Sequence, residues 1–229
     1  MAINTVRIID DRVSVRTALA SCSDKSGLAA LAVGLVAAIP DILVLSTGGT
    51  FEALAHALGP AAPRNLQQVS RYTEQPEMQG GLVKTLDWRI YLGLLSETHN
   101  PAHQADLARA AARTIDLLVV NLYPFRETAT RPGATPETCR GNIDIGGPCM
   151  ARAGAKNFHR VAVLTDPADY PAVLGELQAS GGTLGLSTRF SLAKKAFALT
   201  AAYDAAIGQW MAGLDYDAMA RSYDVRGGG

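Results

Sequence analysis

The hydroxyl- and glycine-rich stretch Ser46-Thr47-Gly48-Gly49-Thr50 follows the apolar run Ile42–Leu45 directly. It precedes a helical pattern from Phe51 to Leu58. A strand that ends in such a turn and opens a helix aims backbone N–H groups at one spot, where the helix dipole favours negative charge. Hydroxyls add donors, and glycine lets the backbone approach an anion closely. The stretch reads as a phosphate cradle, although strand-to-glycine turns are also ordinary α/β punctuation. Two lysines are its candidate partners. Lys25 lies in the polar turn Ser23-Asp24-Lys25-Ser26-Gly27. Lys84 is flanked by apolar residues in 82–86, as an edge-strand gatekeeper or a functional cation.

The elements that must carry these residues follow from the hydrophobic pattern. Thr17–Cys22 reads as a strand and Leu28–Ile39 as a helix ended by Pro40. With the cradle this gives strand–helix–strand–helix, the pattern of a parallel sheet with right-handed crossovers. Ligands of such sheets bind beyond the carboxyl ends of the strands, so Ser21–Lys25 and Ser46–Thr50 fall on one edge. Leu66–Val69 is a weak strand, and Arg71–Gly81 a loop long enough to be functional. Arg89–Leu95 is a strand or a helical turn, and Ala102–Arg113 a helix. Ile115–Asn121 is a strand with cover on both faces, and it delivers Tyr123 to the ligand edge.

Residues 126–136 read as a loop and Glu137–Gly141 as a helical turn. A helix over Cys149–Lys156 follows, with Pro148 at its first position. Val161–Thr165 is a strand, and Pro167–Ala179 and Ser187–Met211 are helices broken at Gly181-Gly182. Residues 17–212 form one domain. Residues 1–16 are an arm or an edge strand, and 213–229 a tail expected to be partly disordered at its glycine end.

Composition excludes several classes. Lys+Arg and Asp+Glu both number 21, so no global field draws nucleic acid. Hydrophobic residues make up 48%, enough for a substantial core, but no run approaches membrane-spanning length. No secretory leader is visible, and a cytoplasmic location is expected. Three cysteines without regular spacing fit a reducing compartment. Among the four histidines only His99 and His103 are close, and Pro101 separates them, so they are read as surface residues and no metal site is expected.

Nine segments in register resemble the IMP cyclohydrolase domain, the N-terminal half of the bifunctional purine enzyme that also carries AICAR formyltransferase. They are Ser21–Gly27, Leu45–Thr50, Pro76–Met78, Val83–Leu86, Asn121–Phe125, Asn142–Pro148, Ala155–Asn157, Asp166–Tyr170 and Ala201–Asp204. The resemblance covers roughly residues 17–212. It implies an α/β, methylglyoxal-synthase-like three-layer fold with a mostly parallel central sheet, a homodimer, and no metal or organic cofactor. The implied reaction, of EC 3.5.4 type, closes the pyrimidine ring of IMP from a formamido-imidazole-carboxamide ribotide (FAICAR), with loss of water. The chain stops where the formyltransferase domain would begin, so formyl transfer is expected from a separate protein.

Carried over residue by residue, the resemblance implies phosphate and ribose contacts from Ser21, Ser23, Lys25, Ser46, Thr47, Gly48, Thr50 and Thr85. It implies base contacts from Asn121, Ile145 and Gly146, and chemistry from Lys84, Tyr123, Asp144 and Lys156. Asp144, with Lys156, is the expected proton acceptor for the attacking carboxamide nitrogen. Lys84 and the Tyr123 hydroxyl are expected to stabilise and protonate the formyl oxygen. If 148–156 is one straight helix, Lys156 lies about 12 Å along its axis from Pro148, and the two groups meet only if the 142–147 loop runs back beside it. The chain departs from the family pattern at Leu82, where an arginine is usual, at Asp87-Trp88 in place of His-Pro, at Phe158 in place of His, and at Gly154 in place of Ala. A specialised paralogue acting on an analogue in nucleoside-antibiotic assembly, or an inactive nucleotide-binding module, are the alternatives.

Overall fold

Continuous apolar runs bounded by polar turns become the strands of a parallel sheet, as expected for strands covered on both faces. The computed structural model describes residues 5–76, 78–81 and 83–226. Its strands are β1 (Arg12–Ser14), β2 (Thr17–Cys22), β3 (Leu43–Ser46), β4 (Leu66–Gln68), β5 (Leu117–Asn121), β6 (Ala162–Leu164) and β7 (Thr183–Gly185). The helices are α1 (Leu28–Ala38), α2 (Gly48–Leu58), α3 (Ala62–Asn65), α4 (Val69–Thr73), α5 (Trp88–Leu95) and α6 (Pro101–Arg109). They continue as α7 (Phe125–Thr130), α8 (Pro136–Gly141), α9 (Gly146–Lys156), α10 (Tyr170–Ala179), α11 (Leu186–Ala212) and α12 (Tyr216–Ala220).

Five strands form one all-parallel sheet in the order β4-β3-β2-β5-β6. Its two faces feed two separate cores. Ala18, Ala20, Val44, Leu117 and Val119 pack with Leu31 and Leu35 of α1 and Val173 of α10. Leu19, Leu45, Leu118 and Val120 point the other way and pack with Ile90 and Leu94 of α5, Met150 of α9 and Ala196 of α11. The alternation of neighbouring residues between the cores is the pleat of the strands, and it produces the three layers. The chain order reverses between β2 and β5, so the crevice beyond their carboxyl ends is where such a sheet takes a ligand.

A smaller third core of Phe125, Cys139 and Tyr203, backed by Trp210, lies beside that crevice. Residues 12–14 form β1, which pairs antiparallel with β7 in a separate two-stranded sheet. The Arg189 side chain, fully buried, fastens this pair by donating to the carbonyls of Asp10, Asp11, Phe158, His159 and Leu184.

Several expectations need correction. The loop over 71–81 begins inside α4 and ends in a short 3₁₀ turn at Gln79–Gly81. The 126–136 loop opens with α7, because Phe125 is buried and anchors a helical turn. Arg89–Leu95 is helical. Asp87 caps that helix by accepting the Arg89 N–H at 2.7 Å, and no strand carries Lys84. The helix over 102–113 stops at Arg109, with Ala111 at φ 50°. Pro148 is the third residue of α9, not the first. Thr183–Gly185 is a strand, and the tail contains the capped turn α12. The expectations for Leu82 and for the glycine end at 227–229 lie outside the described residues.

Candidate active site

Both lysines converge on the N-terminus of α2. Gly48 has φ 48°, a conformation glycine tolerates, and a methyl group there would sit 3.1 Å from the Lys84 Nζ. Gly81 (φ 69°) is crowded by the same side chain, whose Cε would lie 2.6 Å from its added methyl. At Gly49 the neighbour is Lys25, at 3.9 Å from its Cε. The bare backbone of two glycines and two cationic side chains thus face one spot at a helix N-terminus, which is the composition of an anion site.

This spot is one end of a cleft of about 430 Å³, lined also by Ser21, Ser23, Thr47, Thr50, Thr85, Asn121, Tyr123, Asp144, Ile145 and Gly146. Most of the expected site residues are therefore brought together from the ends of β2, β3 and β5, Lys84-Thr85 and the N-terminus of α9. Ser46, fully buried, does not line the cleft, and Lys156 is the other exception. It is exposed in the last turn of α9 and does not line the cleft. Ten residues of helix separate it from Gly146, about 15 Å of rise, and the 142–145 loop stays at the opposite end. Asp144 and Lys156 are therefore not brought together in this chain.

Three other expected contacts are occupied internally. The Ser46 hydroxyl is fully buried and donates to the Ala20 carbonyl at 2.8 Å, tying β3 to β2. The Thr50 hydroxyl accepts the Cys22 N–H and donates to the Cys22 carbonyl, both at 3.0 Å, so it staples α2 to the end of β2. The Asn121 amide is likewise spent on the backbone of Asp24. These side chains build the walls of the cleft and hold its loops. Ser21, Ser23, Thr47 and Thr85 remain as hydroxyl lining, with Thr85 packed against Gly146, where a methyl group would lie 3.0 Å from its Oγ1.

The cleft lining also includes one carboxyl group, that of Asp144. Asp144 Oδ1 accepts the Gly147 N–H at 2.8 Å, inside the first turn of α9. Burial lifts the Asp144 carboxyl above the usual carboxylate range, against the pull of the Gly147 and Tyr123 backbone N–H groups. A carboxylate raised in this way is a better base than an exposed one. The Tyr123 ring is half exposed at the cleft mouth. Cys22 also lines the cleft, but burial pushes its thiol up to about 11, so it is not a nucleophile at neutral pH. Among the described residues no His, Cys, Asp and Glu side chains are grouped to hold a metal ion, and no helix is long and apolar enough to cross a membrane. His99 pairs with Asp10, and His103 accepts the Glu97 N–H.

Residues 27–149, more than half of the chain, match the family model described as the MGS-like domain. The chain belongs to the MGS-like domain family. Residues 154–226 of this MGS-like chain match a second model, the AICARFT/IMPCHase bienzyme. It is 50% identical over 195 residues to the bifunctional purine biosynthesis protein PurH of Synechococcus sp. (strain WH7803), covering 85% of this chain and 36% of that protein. It is 42% identical over 212 residues to PurH of Neisseria meningitidis serogroup A, covering 93% of this chain and 39% of the relative. The chain thus spans a little over a third of the length of these relatives. A solved structure described as ForH is similar along nearly its whole length, with 32% identity, a TM-score of 0.74, and coverage of 90% of this chain and 98% of that one.

One contact beside the cleft was missed from sequence. Tyr203, on α11, bonds to the backbone on both sides of the Asp144 turn. The signal was present in the motif Ala201–Asp204, which the resemblance includes without a stated role.

Proposed function

We propose that this MGS-like chain is a cyclohydrolase that closes the pyrimidine ring of FAICAR, or of a close ribotide analogue, and releases water. The single observation that carries this reading is one cleft that gathers Lys25, Lys84 and the α2 N-terminus together with Asp144 and Tyr123. A ribotide 5′-phosphate suits the α2 N-terminus beside Lys25, and Lys84, Tyr123 and Asp144 are then the groups available to the formamido and carboxamide. The matches to PurH support the same substrate class.

Asp144 takes a proton from the carboxamide nitrogen, which attacks the formyl carbon. The formyl oxygen gains the electron pair, is stabilised by the Lys84 ammonium and takes a proton from it or from the Tyr123 hydroxyl. The resulting carbinolamine loses its hydroxyl as water, and the former formamido nitrogen gives up its proton to complete the C=N bond. Because both reacting groups are on one molecule, holding the formyl rotamer against the carboxamide supplies much of the acceleration. Ser21, Ser23, Thr47, Gly48 and Thr85 hold phosphate and ribose in this scheme, and Ile145 and Gly146 flank the base. No organic cofactor or metal enters any step.

We further propose a homodimer acting in the cytoplasm, with the formyl group supplied by a separate transferase. Exposed Met78, Val83, Leu86, Trp88 and Ile145 near the cleft support a covered face. Mixing the purified protein with FAICAR and following IMP formation tests the reaction. Turnover well above the spontaneous rate is expected. Tight ribotide binding without turnover would instead favour a nucleotide-binding module, a reading encouraged by the position of Lys156 outside the cleft. Turnover of an analogue alone would favour a specialised paralogue.

A further inference from the structure

Asp144 is aligned from behind by a residue that does not line the cleft. The Tyr203 hydroxyl accepts the Asp144 N–H at 2.8 Å and donates to the Asn142 carbonyl at 3.2 Å. One oxygen thereby clamps the two ends of the Asn142-Ile143-Asp144 turn. The ring that carries it is nearly buried and rests edge-on against Phe125, with centroids 6.2 Å apart. Phe125 in turn meets Trp210 at 5.5 Å. The third core packs the ring, while its one oxygen makes both bonds to the turn.

On the cleft side of the same turn, Asp144 has little room. A methyl group on Gly147 would lie 2.5 Å from its Oδ2 and 2.7 Å from Leu122 Cδ2. The Gly147 N–H meanwhile fixes Oδ1 at 2.8 Å. The carboxylate is thus held between α9 in front and the Tyr203 hydroxyl behind. Loss of the hydroxyl leaves an N–H and a carbonyl of one short turn to find water or to shift. A shift of even 1 Å in a catalytic group costs about 10²-fold in rate.

We propose that Tyr203 is a positioning residue for ring closure, holding the Asp144 carboxylate at the reacting end of the cleft without touching the substrate. This rests on the function proposed above for Asp144. The test is Tyr203→Phe, which keeps the ring and removes the oxygen, assayed with FAICAR. The expected result is a kcat about 10- to 100-fold lower with KM within about twofold of the starting protein. Phe125→Leu, which thins the packing around the ring but leaves both bonds of the hydroxyl, is the structural control. It is expected to lower the melting temperature while retaining most of kcat.

A Tyr203→Phe kcat within twofold of the starting protein would overturn the proposal. So would a rise in KM alone, or an equal kcat loss in Phe125→Leu assayed below its melting temperature. If the unmodified protein has no turnover, it is the proposed function that fails, and positioning is read from amide exchange. Loss of protection at the Asp144 N–H in Tyr203→Phe then upholds the clamp, and unchanged protection overturns it.

Discussion

The Asn121 side chain is bonded twice to the backbone of Asp24: Oδ1 accepts the Asp24 N–H at 2.9 Å, and Nδ2 donates to the Asp24 carbonyl at 2.8 Å. Asn121 is the last residue of β5, and Asp24 lies in the turn after β2. The pair bridges the crevice where strand order reverses, and it fixes the turn that carries Ser23 and Lys25.

Asn121→Ala is therefore expected to weaken phosphate capture as well as base recognition. Two hydrogen bonds of ordinary strength are lost, about 1–3 kcal/mol in total, or roughly tenfold or more in affinity. Calorimetry with ribose 5-phosphate and with a full ribotide separates the roles. Unchanged ribose 5-phosphate affinity beside a loss for the ribotide would return Asn121 to direct base contact.

Lys84→Met is expected to lower kcat by about 10²–10³, the usual cost of removing a charge-stabilising donor, with the circular dichroism spectrum intact. Gly81→Ala tests the same group indirectly, because its new methyl would lie 2.6 Å from Lys84 Cε. A smaller kcat loss is expected there, and normal turnover in Lys84→Met would remove the residue from the mechanism.

Burial raises the Asp144 carboxyl, so kcat/KM is expected to fall on the acid side with a midpoint above the ordinary aspartate value of about 3.9. The sign for stability is opposite. A carboxyl raised in the folded state favours folding below its unfolded value, and that contribution is lost as pH rises through the folded value. Asp144→Asn, which can still accept the Gly147 N–H, should be inactive yet no less stable than the parent at pH 7. A melting temperature several degrees lower would contradict this account of the site.

Thr50→Val removes both bonds to the Cys22 backbone while keeping the shape of the side chain. Buried partners left unsatisfied cost about 1–3 kcal/mol, and urea denaturation should register that loss. Thr50→Ser is expected to recover most of it. Equal stability of the Val variant would mean that the staple between α2 and β2 contributes nothing.

The parallel sheet and the meeting of Lys25 with the Gly48-Gly49 turn were legible because they follow from strand order and from the edge rule for ligands, whereas Lys84, which no strand carries, was placed there by the resemblance alone. The occupations of Ser46, Thr50 and Asn121 were not legible. A hydroxyl at a strand end looks the same in sequence whether it faces an anion or a neighbouring carbonyl, and only the packing of β3 on β2 decides. Asp87 likewise showed in sequence only as a departure from the family's His-Pro pair, yet it caps α5. Lys156 was misplaced because motif matching carries identity but not the 15 Å or so of helix between it and Gly146. The motif around Tyr203 was visible but its partner was not, since the turn it holds lies 59 positions away.

The fastening of β1 to β7 sets the order in which the molecule can assemble. Arg189 and the Asp11 carbonyl that it binds are 178 positions apart. Contacts of such sequence separation close late, after local helices and the neighbouring strands β2 and β3 have formed. On a ribosome, residues 10–14 must wait for nearly the whole chain to emerge before they find β7 and the buried guanidinium. Folding of the parallel sheet and pairing of β1 with β7 are thus separated in time. Throughout that interval β1 is an unpaired strand of the growing chain, and an unpaired strand is where pairing between nascent chains can begin.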